Sequence, residues 1–148
     1  MKILVDADAC PVKEIIVEIA KQNKLQVFMF IDTSHELQDR YSTVIMVDKA
    51  RDSVDIALAN KMQSGDIVVT QDYGVAAIAL AKHARVIHQN GLVYTEENIE
   101  RLLFERHLGQ KVRRAGGKTA KNKKRTREDD EMFKKAFINM VIRAQRSD

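Results

Sequence analysis

The stretch Lys2-Ile3-Leu4-Val5-Asp6-Ala7-Asp8-Ala9-Cys10-Pro11 most narrows what this chain can fold into. Ile3, Leu4 and Val5 are contiguous and apolar with a β-branched bias, which suits a strand buried on both faces inside a parallel sheet. The run stops at two aspartates spaced one apart, and Pro11 fits the first position of a helix, where its missing N–H costs nothing. Asp6 and Asp8 therefore fall at the carboxyl end of a central strand, the place where open α/β sheets take their ligands. Helix capping accounts for one aspartate at such a junction. An Asp-x-Asp pair asks for a further reason.

The rest of the chain alternates in the same way. Val12, Ile15, Ile16, Ile19 and Ala20 recur at helical spacing and predict a helix from Pro11 to about Asn23. Strands are predicted over Leu25 to Ile31, Thr43 to Val47, Ile67 to Thr70 and Arg85 to His88. Helices are predicted from near Arg51 or Asp52 to Met62, and from Val75 to Lys82. Strands and helices in this order are the signature of βαβ units, so the expected fold is α/β: a three-layer, Rossmann-like sandwich with a mostly parallel five-stranded sheet. Thr95 should cap a helix that Gly109 ends, and Thr126 a last helix covering 128–146. At 148 residues the chain is read as one domain, with a core of about 1–108, a basic loop at 111–127 and C-terminal helices.

Charge is unevenly spread. Lys111, Arg113, Arg114, Lys118, Lys121, Lys123, Lys124, Arg125 and Arg127 put nine positive charges and no acid into 111–127. Of the 25 Lys and Arg, 16 then face 21 Asp and Glu in the other 131 residues, a net −5. An acidic body with a basic strap is expected of a protein that holds a cation in a pocket and a polyanion beside it. Arg113, Arg114, Lys118, Lys121, Lys124 and Arg125 are the candidate nucleic-acid contacts. With aromatics at 5% and no Trp, backbone contacts should outweigh base stacking. A lone cysteine, no signal-peptide pattern and no membrane-spanning run predict a cytoplasmic protein with no membrane partner.

If the first and fourth strands are neighbours where the strand order reverses, Asp6, Asp8 and Asp72 meet in one crevice. Asp52 and Asp55, three apart, share a face near the start of a helix. Packed carboxylates repel and raise one another's pKa; a divalent cation removes the repulsion, and hard oxygen donors favour Mg²⁺ or Mn²⁺. Such an ion can generate hydroxide and stabilise the oxygens of a phosphodiester displacement. Asp6, Asp8, Asp55 and Asp72 are the candidate catalytic acids, with Asp52 added to the metal set, and Thr70 can position water or phosphate. Asp32 and Asp48 end strands expected to lie on the far side of the first helix and are read as turn residues. Cys10 is read as buried packing, and the spacing of His35, His83, His88 and His107 marks no site.

Val-Asp6-Ala-Asp8-Ala-Cys10-Pro11-Val-Lys13, Asp52-Ser-Val-Asp55-Ile-Ala, Val-Thr70-Gln-Asp72-Tyr73-Gly74-Val-Ala-Ala and Gly116-Gly117-Lys118-Thr119 resemble the YaiI/YqxD family of bacterial proteins, which in turn resembles PIN-like domains. That resemblance implies metal-dependent ribonuclease chemistry, with Asp6 and Asp8 as strand-end acids, Asp55 as the helix acid and Asp72 as the Thr-x-Asp acid; Lys13, like Thr70, is a further candidate for positioning substrate. The basic segment and the final helix are not part of a minimal PIN domain. Two other readings remain. An apolar strand followed by Asp-x-Asp also begins the haloacid dehalogenase-like phosphatases, with an aspartyl-phosphate on the first Asp. Alternatively the chain is a non-catalytic RNA-binding module that acts through its basic strap.

Overall fold

The computed structural model describes residues 1–32, 39–48, 53–117 and 124–147. Its elements run β1 (Ile3–Asp6), α1 (Lys13–Gln22), β2 (Val27–Asp32), β3 (Thr43–Val47), α2 (Val54–Lys61), β4 (Ile67–Val69), α3 (Tyr73–Ala81), β5 (Arg85–Ile87), β6 (Val93–Tyr94), α4 (Glu96–Arg114) and α5 (Arg127–Arg146). The strands form one sheet in the order β3-β2-β1-β4-β5-β6. All neighbours are parallel except β5 and β6, which are antiparallel. The sheet thus has six strands where five were expected. Val93 and Tyr94 form a strand too short to show any alternation, and Gly91 supplies the positive φ of the turn before it.

β1 pairs with both β2 and β4, so the order reverses beside it, as a crevice at the strand ends requires. Successive residues of the central strands enter two different cores. Ile3, Val5, Ile67, Val69 and Ile87 pack with Ile16 and Ile19 of α1 and with Phe133 and Phe137 of α5. Leu4, Val68 and Val86 pack with Leu58 of α2, Ala76 and Ala79 of α3, and Ile99 and Leu102 of α4. That period of two is the strand pleat. Because both sides of β1 are covered, Ile3, Leu4 and Val5 are fully buried, as their unbroken apolar run predicts.

Several boundaries differ from expectation, and three helix boundaries do so for identifiable reasons. α1 starts at Lys13, two residues after Pro11, because the chain first makes a turn in which Ala9 adopts φ +56°. α3 starts at Tyr73, since Asp72 caps it with a side chain that accepts from the N–H groups of Gly74 and Val75. α4 passes through Gly109 and ends at Ala115, so Lys111, Arg113 and Arg114 are helical and not part of a loop. One glycine costs a helix only about 1 kcal/mol. The true stop is Gly116 at φ +83°, where the Gly116 and Gly117 N–H groups bond back to the carbonyls of Arg113 and Val112. α5 begins where expected, with Thr126 and Asp129 in a reciprocal cap. Among the described residues, no helix is long and apolar enough to cross a membrane.

Candidate functional site

The carboxyl ends of β1 and β4 carry the site. In register, Val5 lies opposite Val69, which brings the next residues, Asp6 and Thr70, alongside each other. The Thr70 hydroxyl donates to Asp6 Oδ2 at 3.1 Å and accepts from the Asp72 N–H at 3.0 Å. Thr70 is itself buried, and its carbonyl receives the Tyr94 hydroxyl at 3.2 Å. A strand-end threonine thus ties the acid of β1 to the turn that opens α3.

Asp72 is held twice over. Its Oδ1 accepts from Gly74 N at 2.8 Å and Val75 N at 3.1 Å, and Arg106 Nη1 of α4 stands 3.9 Å from the same oxygen. A Cβ on Gly74 would lie 3.1 Å from that oxygen, so the glycine makes room for the carboxylate. Asp6, Gln71, Asp72, Tyr73 and Arg106 line a cleft of about 230 Å³. Asp55, in the first turn of α2, stands near enough for its charge to act on Asp6, and it feels Asp72 and Arg106 in turn.

Burial first, and repulsion between the acids second, shape the electrostatics here. The Asp6 pKa is raised to about 6, chiefly by burial, and further by the charges of Asp55, Asp8 and Asp72; the Thr70 hydrogen bond pulls it partly back. Asp55 is also raised, by desolvation and then by Asp72, with Arg106 opposing. Asp8 turns toward the other neighbour of β1, where its Oδ2 accepts from the Asp32 N–H at 3.2 Å. Asp32 is therefore not remote, because β2 lies directly beside β1. Lys13 holds the connecting loop by donating from Nζ to the Ala7 carbonyl at 3.2 Å.

Among the described residues, no three acidic, His or Cys side chains stand close enough together to hold a metal ion in this arrangement. Asp6 and Asp72 are nonetheless oxygen donors lining one cleft, and Asp55 repels both from outside that lining, a charge that a hard divalent cation relieves. Asp52 lies outside the described residues, as do His35, Lys118, Lys121 and Lys123.

The basic residues separate into two kinds. β6 runs opposite to β5, so α4 starts near the amino edge of the parallel strands and climbs toward their carboxyl edge, meeting Asp72 at Arg106. Past Arg106 it continues to Arg114, about 12 Å further at 1.5 Å per residue. Lys111, Arg113 and Arg114 are exposed on that extension, and Lys124 is exposed before α5. Arg125 instead donates from Nε to Asp130 (2.7 Å), from Nη1 to Asn90 Oδ1 (2.6 Å) and from Nη2 to the Gln89 carbonyl (2.8 Å), clamping the turn after β5 to the start of α5.

Sequence reasoning passed over three residues that the fold brings in. Arg106 and Tyr73 line the cleft. Tyr94 braces Tyr73 edge-on at 6.0 Å between ring centroids. Tyr73 alone carried a signal, standing directly after Asp72 in the Thr-x-Asp motif; Arg106 lies on an amphipathic helix with no sequence mark of its role.

The sequence pattern described as "Uncharacterized BCR, YaiI/YqxD family" matches residues 4–143. The chain belongs to the YaiI/YqxD family. Among similar proteins, a UPF0178 protein of Ruminiclostridium cellulolyticum is 67% identical over 95% of this chain and 92% of its own length. Another, from Alkaliphilus oremlandii, is 56% identical over 95% of this chain and 91% of its own. A third, from Natranaerobius thermophilus, is 46% identical over 99% of this chain and all of its own length. Neither the YaiI/YqxD description nor these names state an activity. No solved structure matches the chain.

Proposed function

We propose that this chain is a Mg²⁺- or Mn²⁺-dependent phosphodiesterase acting on nucleic acid, RNA foremost, with a three-layer, PIN-like architecture. The observation that supports the reading is the pairing of Asp6 and Asp72 in one cleft beside Arg106 of α4, with Asp55 of α2 near enough for its charge to act on both acids. When bound, the ion supplies a water of lowered pKa and charge stabilisation at the reacting phosphate. The chain's own part is positioning. Thr70 fixes the Asp6 carboxylate, the first turn of α3 fixes Asp72, and Arg106 offers the one cationic group among the described residues of the cleft lining to a phosphate oxygen.

Asp8, tied to β2, supports the negative field on Asp6 and is the remaining candidate ligand from the Asp-x-Asp pair. A cytoplasmic setting fits a buried free thiol at Cys10. The test is incubation of labelled RNA and single-stranded DNA with the protein plus Mg²⁺ or Mn²⁺, beside Asp6→Asn and Asp72→Asn. Metal-dependent cleavage lost in both variants supports the reading. Turnover of an aryl phosphate with no cleavage of either polymer replaces it with the phosphatase; metal-independent RNA binding without cleavage replaces it with the binding module.

A further inference from the structure

We propose that the Tyr73 ring is a base-stacking platform, which makes the ligand of this cleft a single-stranded polynucleotide with a base laid on Tyr73 beside the phosphate that faces Arg106. The inference rests on the phosphodiesterase reading of the same cleft and names its substrate class.

Four observations carry it. Tyr73 is the aromatic side chain lining the cleft, where its neighbours Asp6, Gln71, Asp72 and Arg106 are all polar or charged. It is half-buried, so part of the ring is left to a ligand. It is rigidly held: it opens α3 directly after the Asp72 cap, and Tyr94 meets it at an interplanar angle of 69°. Tyr94 is buried and bonded through its hydroxyl to Thr70, the residue that also bonds Asp6, so ring and acid share one support.

Stacking sets the strandedness. A base laid on the Tyr73 ring has left its own stack, as bases of a single strand readily do, and the cleft of about 230 Å³ has room for one phosphate with its sugar or base. A ring fixed beside a guanidinium binds a base on its face and a phosphate next to it, the combination used for single strands without sequence preference. Gln71, exposed at the rim, can reach a base edge or a sugar hydroxyl.

The experiment reads binding of an intact strand, independent of cleavage. The probes are a fluorescein-labelled RNA dodecamer and an abasic dodecamer of equal charge, with calcium in place of magnesium and strand integrity checked on a gel. Tyr73→Leu keeps apolar bulk and should weaken the base-bearing strand by roughly 5- to 100-fold, and the abasic strand by less than about 2-fold, while Tyr73→Phe stays near wild type. The chain has no Trp, so Tyr73→Trp gives a single reporter, whose fluorescence the base-bearing strand should quench and the abasic strand should not. Equal binding of both strands by wild type and Tyr73→Leu, or no quenching of Tyr73→Trp at saturation, overturns the proposal. Tyr73-dependent binding of strands that are never cut leaves stacking in place and removes the phosphodiesterase; cleavage that ignores Tyr73 does the reverse.

Discussion

Thr70 donates its hydroxyl to Asp6 across the boundary between β1 and β4, at the point where the strand order reverses. The same hydroxyl accepts the Asp72 N–H, so its single proton and one lone pair are both assigned. Without it Asp6 would be a desolvated carboxyl near three like charges, and the turn into α3 would keep an unpaired donor. One buried side chain thus sets the distance between the two acids on which the site depends.

Metal-free stability should fall as pH rises through the Asp6 titration. The folded pKa is raised from 3.8 to about 6, so the folded state holds a proton that the unfolded chain releases near 3.8. The stabilisation is fully present below 3.8 and is lost as pH climbs toward 6, with a size of about 2 to 3 kcal/mol. Chemical denaturation in chelator from pH 3.5 to 7.5 should show this decline in the wild type. The difference curve against Asp6→Asn isolates it, and that variant should be the more stable protein at pH 7. Thr70→Val, which removes the bond holding the Asp6 pKa down, should move the decline to higher pH. Parallel curves for all three proteins would contradict the assignment.

Asp72 has a structural duty as well as a proposed chemical one, and two substitutions separate them. Asparagine caps helices about as well as aspartate, so Asp72→Asn should keep stability within about 0.5 kcal/mol, while Asp72→Ala should cost about 1 kcal/mol. Both should abolish metal-dependent cleavage. Thermal melts read the first effect and single-turnover cleavage the second. A large loss of stability in Asp72→Asn would make the carboxylate's charge part of the fold.

Much of the fold is legible in the order of the residues. The unbroken Ile3-Leu4-Val5 run marks a central strand because burial on both faces leaves no polar alternate positions to confuse the pattern. The crevice at the reversal of strand order follows from the βαβ rhythm, and Thr126 announces α5. The misses have local causes. Gly109 and Gly116 both fit a helix stop by residue type; backbone bonding to Val112 and Arg113 decides for Gly116, and sequence does not display it. Arg114 and Arg125 look alike in a basic run, yet one is exposed on a helix and the other is half-buried and bonded to Asp130, Asn90 and Gln89, partners up to 36 residues away.

Helix ends offer a stability test free of the site. Lys24 and His83 follow α1 and α3 at φ +56° and +64°, each just before a residue whose N–H bonds back to the last turn, Leu25 to Ala20 and Ala84 to Ala79. Glycine is the residue that this conformation favours. Lys24→Gly and His83→Gly should each raise stability by about 0.5 to 1 kcal/mol. Gly91→Ala should act oppositely, since φ is +93° and the new Cβ would sit 2.9 Å from the Met132 carbonyl oxygen of α5. Urea midpoints would show both signs.

The basic residues should divide by their surroundings. Arg113 and Arg114 lie exposed on the extension of α4 that rises past Arg106. If a strand leaving the cleft follows that helix, each phosphate they neutralise releases about 0.7 to 0.9 of a counterion. The Arg113→Ala and Arg114→Ala pair should then flatten the slope of log affinity against log salt by about 1 to 2 and weaken all sequences equally. Arg125→Ala should do the reverse. Its guanidinium bonds join the turn after β5 to α5, so the loss should appear as about 1 to 2 kcal/mol of stability, with an unaltered salt slope in the folded protein. Anisotropy titrations with RNA at four salt concentrations, beside thermal melts, measure both quantities. A salt slope that falls with Arg125→Ala and not with the α4 pair would move the polyanion track from the end of α4 to the start of α5.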